Sequence, residues 1–325
     1  MSLFTEQINN WKDWRKVLPA ITTFAPLIEH IFQKENLPAT KIETVKSGMM
    51  SAVFKVGDCV VKIFAPSELD EDFVTHSDVE LFGMKLANSR GVPAPKLIAY
   101  DAVEDKYHFR YMIMEYVNGK RLFDIEEDLS YEDKVIIGQN MRKITDKLNV
   151  PCEKFTPVDI IQCAMDSGEW GQEGFPESFQ AERLEYITNM RISENERVYC
   201  HGDLHGHNIL ADDRLNLYII DFAEAVYVPN GYEQAYIASC LFAFERPYMM
   251  GYFGDYNVEE IVNLCMTWLP VHSNGHGTMA GNFNTVSEIT SFDVMHERLY
   301  NLIEREKQKP CPMIDAPNNH FLDNM

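Results

Sequence analysis

The chain of 325 residues is 46% apolar, enough for a substantial core in one large domain or two lobes. Its formal net charge of −21 excludes a nucleic-acid partner, because gripping a phosphate backbone takes basic stripes. The same acidity either serves solubility alone or favours a cationic small molecule.

Met1 to Trp14 is polar and mixed in charge, and no run of about 18 uncharged apolar residues occurs. Neither a secretory signal nor a membrane span is therefore expected. Seven scattered cysteines without a Cys-x-x-Cys pair fit a reduced, cytoplasmic protein. From Thr5 to about Asn36 apolar residues recur at helical spacing (Ile8, Trp11, Trp14, Ile21, Leu27, Ile28, Ile31, Phe32). They predict two or three short helices, broken at Pro19 and Pro26, in a helical extension over residues 1–40.

Strand character begins at Lys41. Ile42 to Val45, Val53 to Val56 and Cys59 to Phe64 read as three strands, the last two joined by a Gly57-Asp58 turn. Ser47, Gly48 and Ser51 fall in the small-residue loop after the first strand, where backbone N–H groups and a hydroxyl can meet phosphates. An ordinary hairpin accounts for that loop equally well. Lys62 issues from an otherwise apolar strand, so it either snorkels to the surface or meets a buried anion.

Asp70 to Asn88 reads as a helix whose face of Ser77, Glu80, Gly83, Met84 and Ala87 holds one carboxylate. Glu80 either faces the sheet and pairs with Lys62 or points to solvent; Glu68 and Glu71 are the other partners in reach. Lys96 to Tyr100 and Phe109 to Tyr116 complete a five-stranded antiparallel sheet with one main helix. Residues 1–117 make up this first lobe, and Asn118-Gly119 is a natural hinge. Backbone groups from Glu115 to Val117 stand where a flat ring can wedge between lobes.

Residues 118–325 are mainly helical. The capping-box pattern Ser130-Tyr131-Glu132-Asp133 opens one helix, which runs to Leu148. Others are expected at Ser178 to Met190, Tyr232 to Arg246, Val258 to Leu269 and Val286 to Lys307. Ser273 to Asn284 reads as a loop, and the tail from Lys309 as poorly ordered.

The chemistry concentrates between Tyr199 and Phe222. Val198 to Cys200, Asn208 to Ala211 and Leu217 to Asp221 read as short strands holding Asp203, Asn208 and Asp221 at nearly fixed separations. Asp, Asn and Asp are what a hard divalent cation and a general base require: oxygen ligands, and a carboxylate able to orient a hydroxyl. The Asp203-to-Asn208 spacing, Asp-x-x-x-x-Asn, matches a kinase catalytic loop, and Asp221-Phe222 stands where the second metal-binding aspartate belongs. Alternating His201, Asp203, His205 and His207 also offer transition-metal ligands if that stretch is a strand, but Gly202 and Gly206 favour a loop.

These motifs resemble the aminoglycoside phosphotransferase and choline kinase family, small-molecule kinases with the protein-kinase fold. The resemblance spans roughly residues 41 to 250, and its most specific part is His-Gly-Asp-Leu-His-x-x-Asn-Ile-Leu followed by Ile-Asp-Phe. It implies an α+β, two-lobed kinase fold, ATP and Mg²⁺ as cofactors, and Asp203 as catalytic base. It further implies Asn208 and Asp221 as Mg²⁺ ligands, and Lys62, paired with Glu80, as the group that holds the nucleotide phosphates. Ser47 to Ser51 resembles the phosphate-covering loop, Glu115 to Val117 the adenine-binding linker, and His201 a structural residue that bonds backbone.

Two features depart from the family pattern. The nucleotide loop is poor in glycine, and Glu233 stands where an aspartate commonly begins the helix after Asp221. The expected acceptor is a small cationic molecule such as an aminoglycoside. Its candidate lining comprises Glu224, Glu233, Glu245, Asp255 and Glu259, with Tyr227, Tyr232, Tyr236, Phe244, Tyr248 and Tyr252 as an aromatic cage for a quaternary ammonium. A choline, amino-alcohol or sugar kinase and a non-catalytic nucleotide-binding module are the alternatives; a protein kinase is disfavoured by the absence of Ala-Pro-Glu after Asp221.

Overall fold

In the strand Ala52–Val56, Ala52, Phe54 and Val56 turn inward while Val53 and Lys55 do not. That two-residue period builds a sheet with one covered face. The computed structural model describes residues 2–45, 50–69 and 72–310, with the backbone alone at 72–75. The sheet contains β1 (Ile42–Thr44), β2 (Ala52–Val56), β3 (Cys59–Ile63), β4 (Leu97–Glu104) and β5 (His108–Glu115), antiparallel in the order β1-β2-β3-β5-β4. Its register sets Lys62 opposite Met112 and Cys59 opposite Glu115.

The helices α1 (Trp11–Val17) and α2 (Ile21–Lys34) cover one face of this sheet. Phe24 packs 5.4 Å from Phe54, and Phe4 5.0 Å from Phe109, ring centre to ring centre. Pro26 lies inside α2 and does not end it. Losing one amide donor costs less than burying Phe24, Leu27, Ile28, Ile31 and Phe32 returns. The Trp14 indole donates to the Met50 carbonyl at 2.9 Å, tying α1 to the chain just before β2.

The long helix α3 (Asp72–Arg90) runs beside β4 and reaches α4 (Tyr131–Leu148). Ser130 and Asp133 cap α4 with reciprocal bonds of 3.1 Å, as its sequence signature predicts. The hinge leads through β6 (Lys120–Arg121) into a mainly helical lobe. There α5 (Ile160–Asp166) and α6 (Glu169–Gln172), unforeseen in the sequence, precede α7 (Glu177–Asn189). Four short strands follow: β7 (Val198–Cys200), β8 (Ile209–Ala211), β9 (Leu217–Ile219) and β10 (Val226–Val228). The motif is therefore framed by two separate ladders, β7 with β10, and β6 with β8 and β9.

Downstream, α8 (Gly231–Tyr236) passes into a π-turn at Ile237–Leu241. Positive φ at Ala243 and Phe244 then breaks what the sequence predicts as one helix, and α9 (Arg246–Phe253) starts anew. After α10 (Val258–Trp268) comes a second difference: the expected loop 273–284 contains the helix α11 (Gly275–Asn282). Its glycines and asparagines are poor helix formers, but buried Thr278 and Met279 and contacts with α6 override that propensity. The last helix is α12 (Phe292–Gln308). The expected tail lies, from residue 311, outside the described residues. No described helix is long and apolar enough to cross a membrane.

Candidate active site

Between β7 and β8 the chain makes a loop whose course is fixed by side chains from three directions. Gly202 takes φ of 81°, and a Cβ there would lie 2.2 Å from the Glu224 carbonyl oxygen, so only glycine fits. Glu233, from α8, is 1% exposed and reaches up into the loop. Its carboxylate accepts from His201 N at 3.1 Å, Gly202 N at 3.0 Å and Asn149 Nδ2 at 2.7 Å. The aspartate expected here is thus replaced by a residue one methylene longer that still bonds the loop backbone. Burial raises the Glu233 pKa, against the pull of His201 and Asn149.

His201 is fully buried. Its Nδ1 lies 3.4 Å from the Asp203 amide that donates to it, which makes Nε2 the protonated nitrogen and donor to the Ile220 carbonyl at 3.1 Å. The loop is thereby pinned to the residue before Asp221. Asp221 itself sits at φ of 64°, a conformation costing about 1 kcal/mol, and its Oδ1 accepts from Lys62 at 2.9 Å.

Lys62 also donates to both oxygens of Glu80, at 2.8 and 2.7 Å, so Glu80 faces the sheet and is the lysine's partner. Burial opposes the Lys62 charge, but Asp221 and Glu80 outweigh it and hold the pKa above the ordinary lysine value. Burial pushes Glu80 up, to about 7, against the pull of Lys62. For Asp221 burial is again opposed by Lys62, and here the lysine prevails and lowers the pKa. Two direct bonds to one buried ammonium favour the ionised form of the pair.

Lys62, Glu80, Ser51, Asp203 and Asp221 line one cavity of about 200 Å³ between the lobes. Asn208 adjoins it, its Nδ2 donating to the Asp203 carbonyl at 3.0 Å and to Asp203 Oδ2 at 2.9 Å. That orientation leaves Asn208 Oδ1, with Asp221 Oδ2, as oxygens accepting no hydrogen bond among the described residues. The other Asp203 oxygen, Oδ1, accepts from Asn274 Nδ2 at 3.1 Å and from the Tyr236 hydroxyl at 3.3 Å. Both of those residues line a second cavity, of about 370 Å³. Asp203 stands between the two.

The model of the phosphotransferase enzyme family matches residues 41–260, more than half of the chain. The chain belongs to that family. No curated protein matches its sequence. Among solved structures, this phosphotransferase is similar to wild-type aminoglycoside 2'-phosphotransferase-IIIa in its GDP complex. They share 18% identity over 85% of this chain and 98% of the other, with a TM-score of 0.55. Spectinomycin phosphotransferase bound to ADP and spectinomycin matches at 14% identity over 87% and 98%, with a TM-score of 0.51. Choline kinase LicA from Streptococcus pneumoniae matches at 14% identity over 85% and 98%, with a TM-score of 0.52. At such identities the likeness shows the fold, a two-lobed protein-kinase-like one.

Other residues singled out in the phosphotransferase sequence lie elsewhere. Ser47 and Gly48 fall outside the described residues. Glu115 and Val117 do not line the cavity: Cys59, the partner of Glu115, is three residues along β3 from Lys62, about 10 Å. There Glu115 N and Tyr116 N are taken by Lys96 O and Asp58 O, leaving Val117 N–H without a partner among the described residues.

The expected acceptor carboxylates disperse. Glu233 holds the loop, Glu245 pairs with Lys134 at 2.6 Å, Glu259 with His296 at 2.9 Å and Asp255 with Lys307 at 3.7 Å. Glu224 lines the smaller cavity. The expected aromatic cage is filled by protein: His272 stacks 4.2 Å from both Tyr232 and Tyr236. No group of three or more metal-ligating side chains occurs among the described residues, and His201 is turned to backbone, so the alternating histidines do not form a transition-metal site. Asn274 was missed because it lies in a stretch that reads as a polar loop, and His272 because it immediately precedes that stretch.

Proposed function

We propose that this chain transfers the γ-phosphate of ATP to a hydroxyl of a small molecule, with a nucleotide lobe at residues 1–117 and an acceptor lobe at residues 118–325. The observation that carries this reading is the position of Asp203, on the wall of the cavity beneath Lys62 and bonded by Oδ1 to the lining of a second one. The ADP, ATP and GDP complexes of the structural neighbours support nucleotide in the first cavity.

Phosphoryl transfer requires alignment and charge neutralisation more than covalent help. Lys62, held by Glu80, neutralises phosphate oxygens; Ser51 flanks them. Asp203 accepts the acceptor hydroxyl's hydrogen bond through Oδ1 and turns the oxygen toward the phosphate, while Asn208 fixes Oδ2. The free oxygens of Asn208 and Asp221 fit Mg²⁺, a hard cation that keeps waters and phosphates as its remaining ligands. When bound, Mg²⁺ supplies further positive charge against the phosphates. Glu115 to Val117 serve as the adenine linker through Val117 N–H.

The test is ADP release from Mg-ATP by the full-length protein, with and without aminoglycosides, choline, amino-alcohols and sugars. Acceptor-stimulated release that disappears in Lys62→Met supports the proposal. Failure of the wild-type protein to bind Mg-ATP at millimolar concentration sinks it.

A further inference from the structure

We infer that the acceptor is an uncharged, polyhydroxylated small molecule, and not a polyamine or a quaternary ammonium. This rests on the kinase reading above and concerns the larger cavity. Its volume of about 370 Å³ falls in the range of small-molecule sites.

The chemistry of the walls decides the class. Ser239, Asn274, Thr278 and Asn282 supply hydroxyl and amide groups, Ala243 and glycines supply close approach, and among the described residues no carboxylate or ammonium lines the cavity. His276 is the titratable wall residue besides Tyr236 and Cys240, and Glu169 already lies 3.5 Å from it. An ammonium brought in here loses water, while Asp203 Oδ1 is needed by the reacting hydroxyl and Glu169 already lies beside His276. Hydroxyl groups, by contrast, act as both donors and acceptors and match neutral amide and hydroxyl walls.

The aromatic alternative is closed by the packing. One face of the Tyr236 ring is covered by His272, and Tyr232 is 2% exposed, so these rings offer no cage for a methylated ammonium. Much of this wall, residues 274–282, also lies beyond residue 260, where the family match stops.

The experiment pairs each neutral acceptor with its amino counterpart: glucose with glucosamine, galactose with galactosamine, a cyclic hexitol with an aminocyclitol, alongside kanamycin and choline. The full-length protein is assayed for ADP release, and Mg-ATP binding is measured separately by calorimetry. The expected result is a kcat/KM at least about tenfold higher for a neutral member than for its amine.

Gly277→Asp supplies the converse. Gly277 lines the cavity and a Cβ there meets nothing within 4 Å, so a carboxylate is accommodated at its wall without a clash. It should shift the ratio at least about tenfold toward the amine, with Mg-ATP binding reporting that the variant is folded. Higher kcat/KM for kanamycin, choline or any amine than for its neutral counterpart overturns the inference and leaves the kinase reading standing. Mg-ATP binding with no neutral compound phosphorylated also overturns it. Absence of Mg-ATP binding overturns the kinase reading itself.

Discussion

Gly83 packs so tightly against Phe222 that a methyl at position 83 would lie 2.7 Å from the Phe222 Cβ and 2.2 Å from the Tyr199 hydroxyl. This contact seats α3 on β7 and on the residue after Asp221, one turn from Glu80. Gly83→Ala must therefore push the helix away, and the Lys62–Glu80 bonds of 2.7 and 2.8 Å should lengthen with it. The expected result is a rise in the KM for ATP of about tenfold and a stability loss of about 1–3 kcal/mol. A Gly83→Ala enzyme with unchanged KM and melting temperature contradicts this.

Asp203→Asn keeps the shape of the side chain and removes its charge. Turnover should fall about 10²–10⁴-fold, the usual worth of a positioned acid–base group. Nucleotide affinity, measured by calorimetry, should stay within about twofold. Near-normal turnover would exclude Asp203 as the base.

Glu233→Gln must turn its amide nitrogen either to Gly202 N–H or to His201 N–H and the Asn149 amide. Each stranded buried donor costs about 1–3 kcal/mol. We expect a drop of several degrees in melting temperature, with kcat reduced more than the affinity for nucleotide, because the loop bearing Asp203 loosens first. Glu233→Asp should fall between the two.

His272, enclosed by two tyrosine rings, is pushed down by burial to about 3 from an ordinary 6.5. Asp203, His276 and the two rings are the titratable groups that face it. Below pH 6.5 the unfolded chain takes up a proton that the folded one refuses. This contribution to stability is complete above 6.5 and is lost as the pH falls toward 3. Urea unfolding at pH 7, 6 and 5 should show His272→Phe losing less stability per pH unit than the parent, by up to about 1.4 kcal/mol. Parallel slopes would indicate that His272 takes up its proton equally in the folded and unfolded protein.

The first lobe and the reaction were legible for one reason: short-range patterns carried them. The alternation in Ala52–Val56, the lone lysine in an apolar strand and the Asp203–Asn208 spacing each act within one element or one turn. Glu80 left a genuine ambiguity, settled only when α3 was placed against β3. What escaped was set by tertiary packing. Pro26 continues a helix because its neighbours are buried, and Gly275–Asn282 is helical despite its composition. The acceptor side is the least legible, because acidic residues look alike in sequence whether they pair with Lys134, hold a loop or line a site.

Trp14 bonds Met50 from a helix that precedes residue 41, where the family match begins. Phe4, Trp14 and Phe24 share one aromatic cluster with Phe54 and Phe109 of the sheet. Homology and cohesion thus draw different borders in this molecule. A fragment trimmed to the shared segment would bare the apolar side of its own sheet to water, inviting aggregation before any assay could begin. The packed core extends beyond the family match, and the helices before residue 41 are its lining.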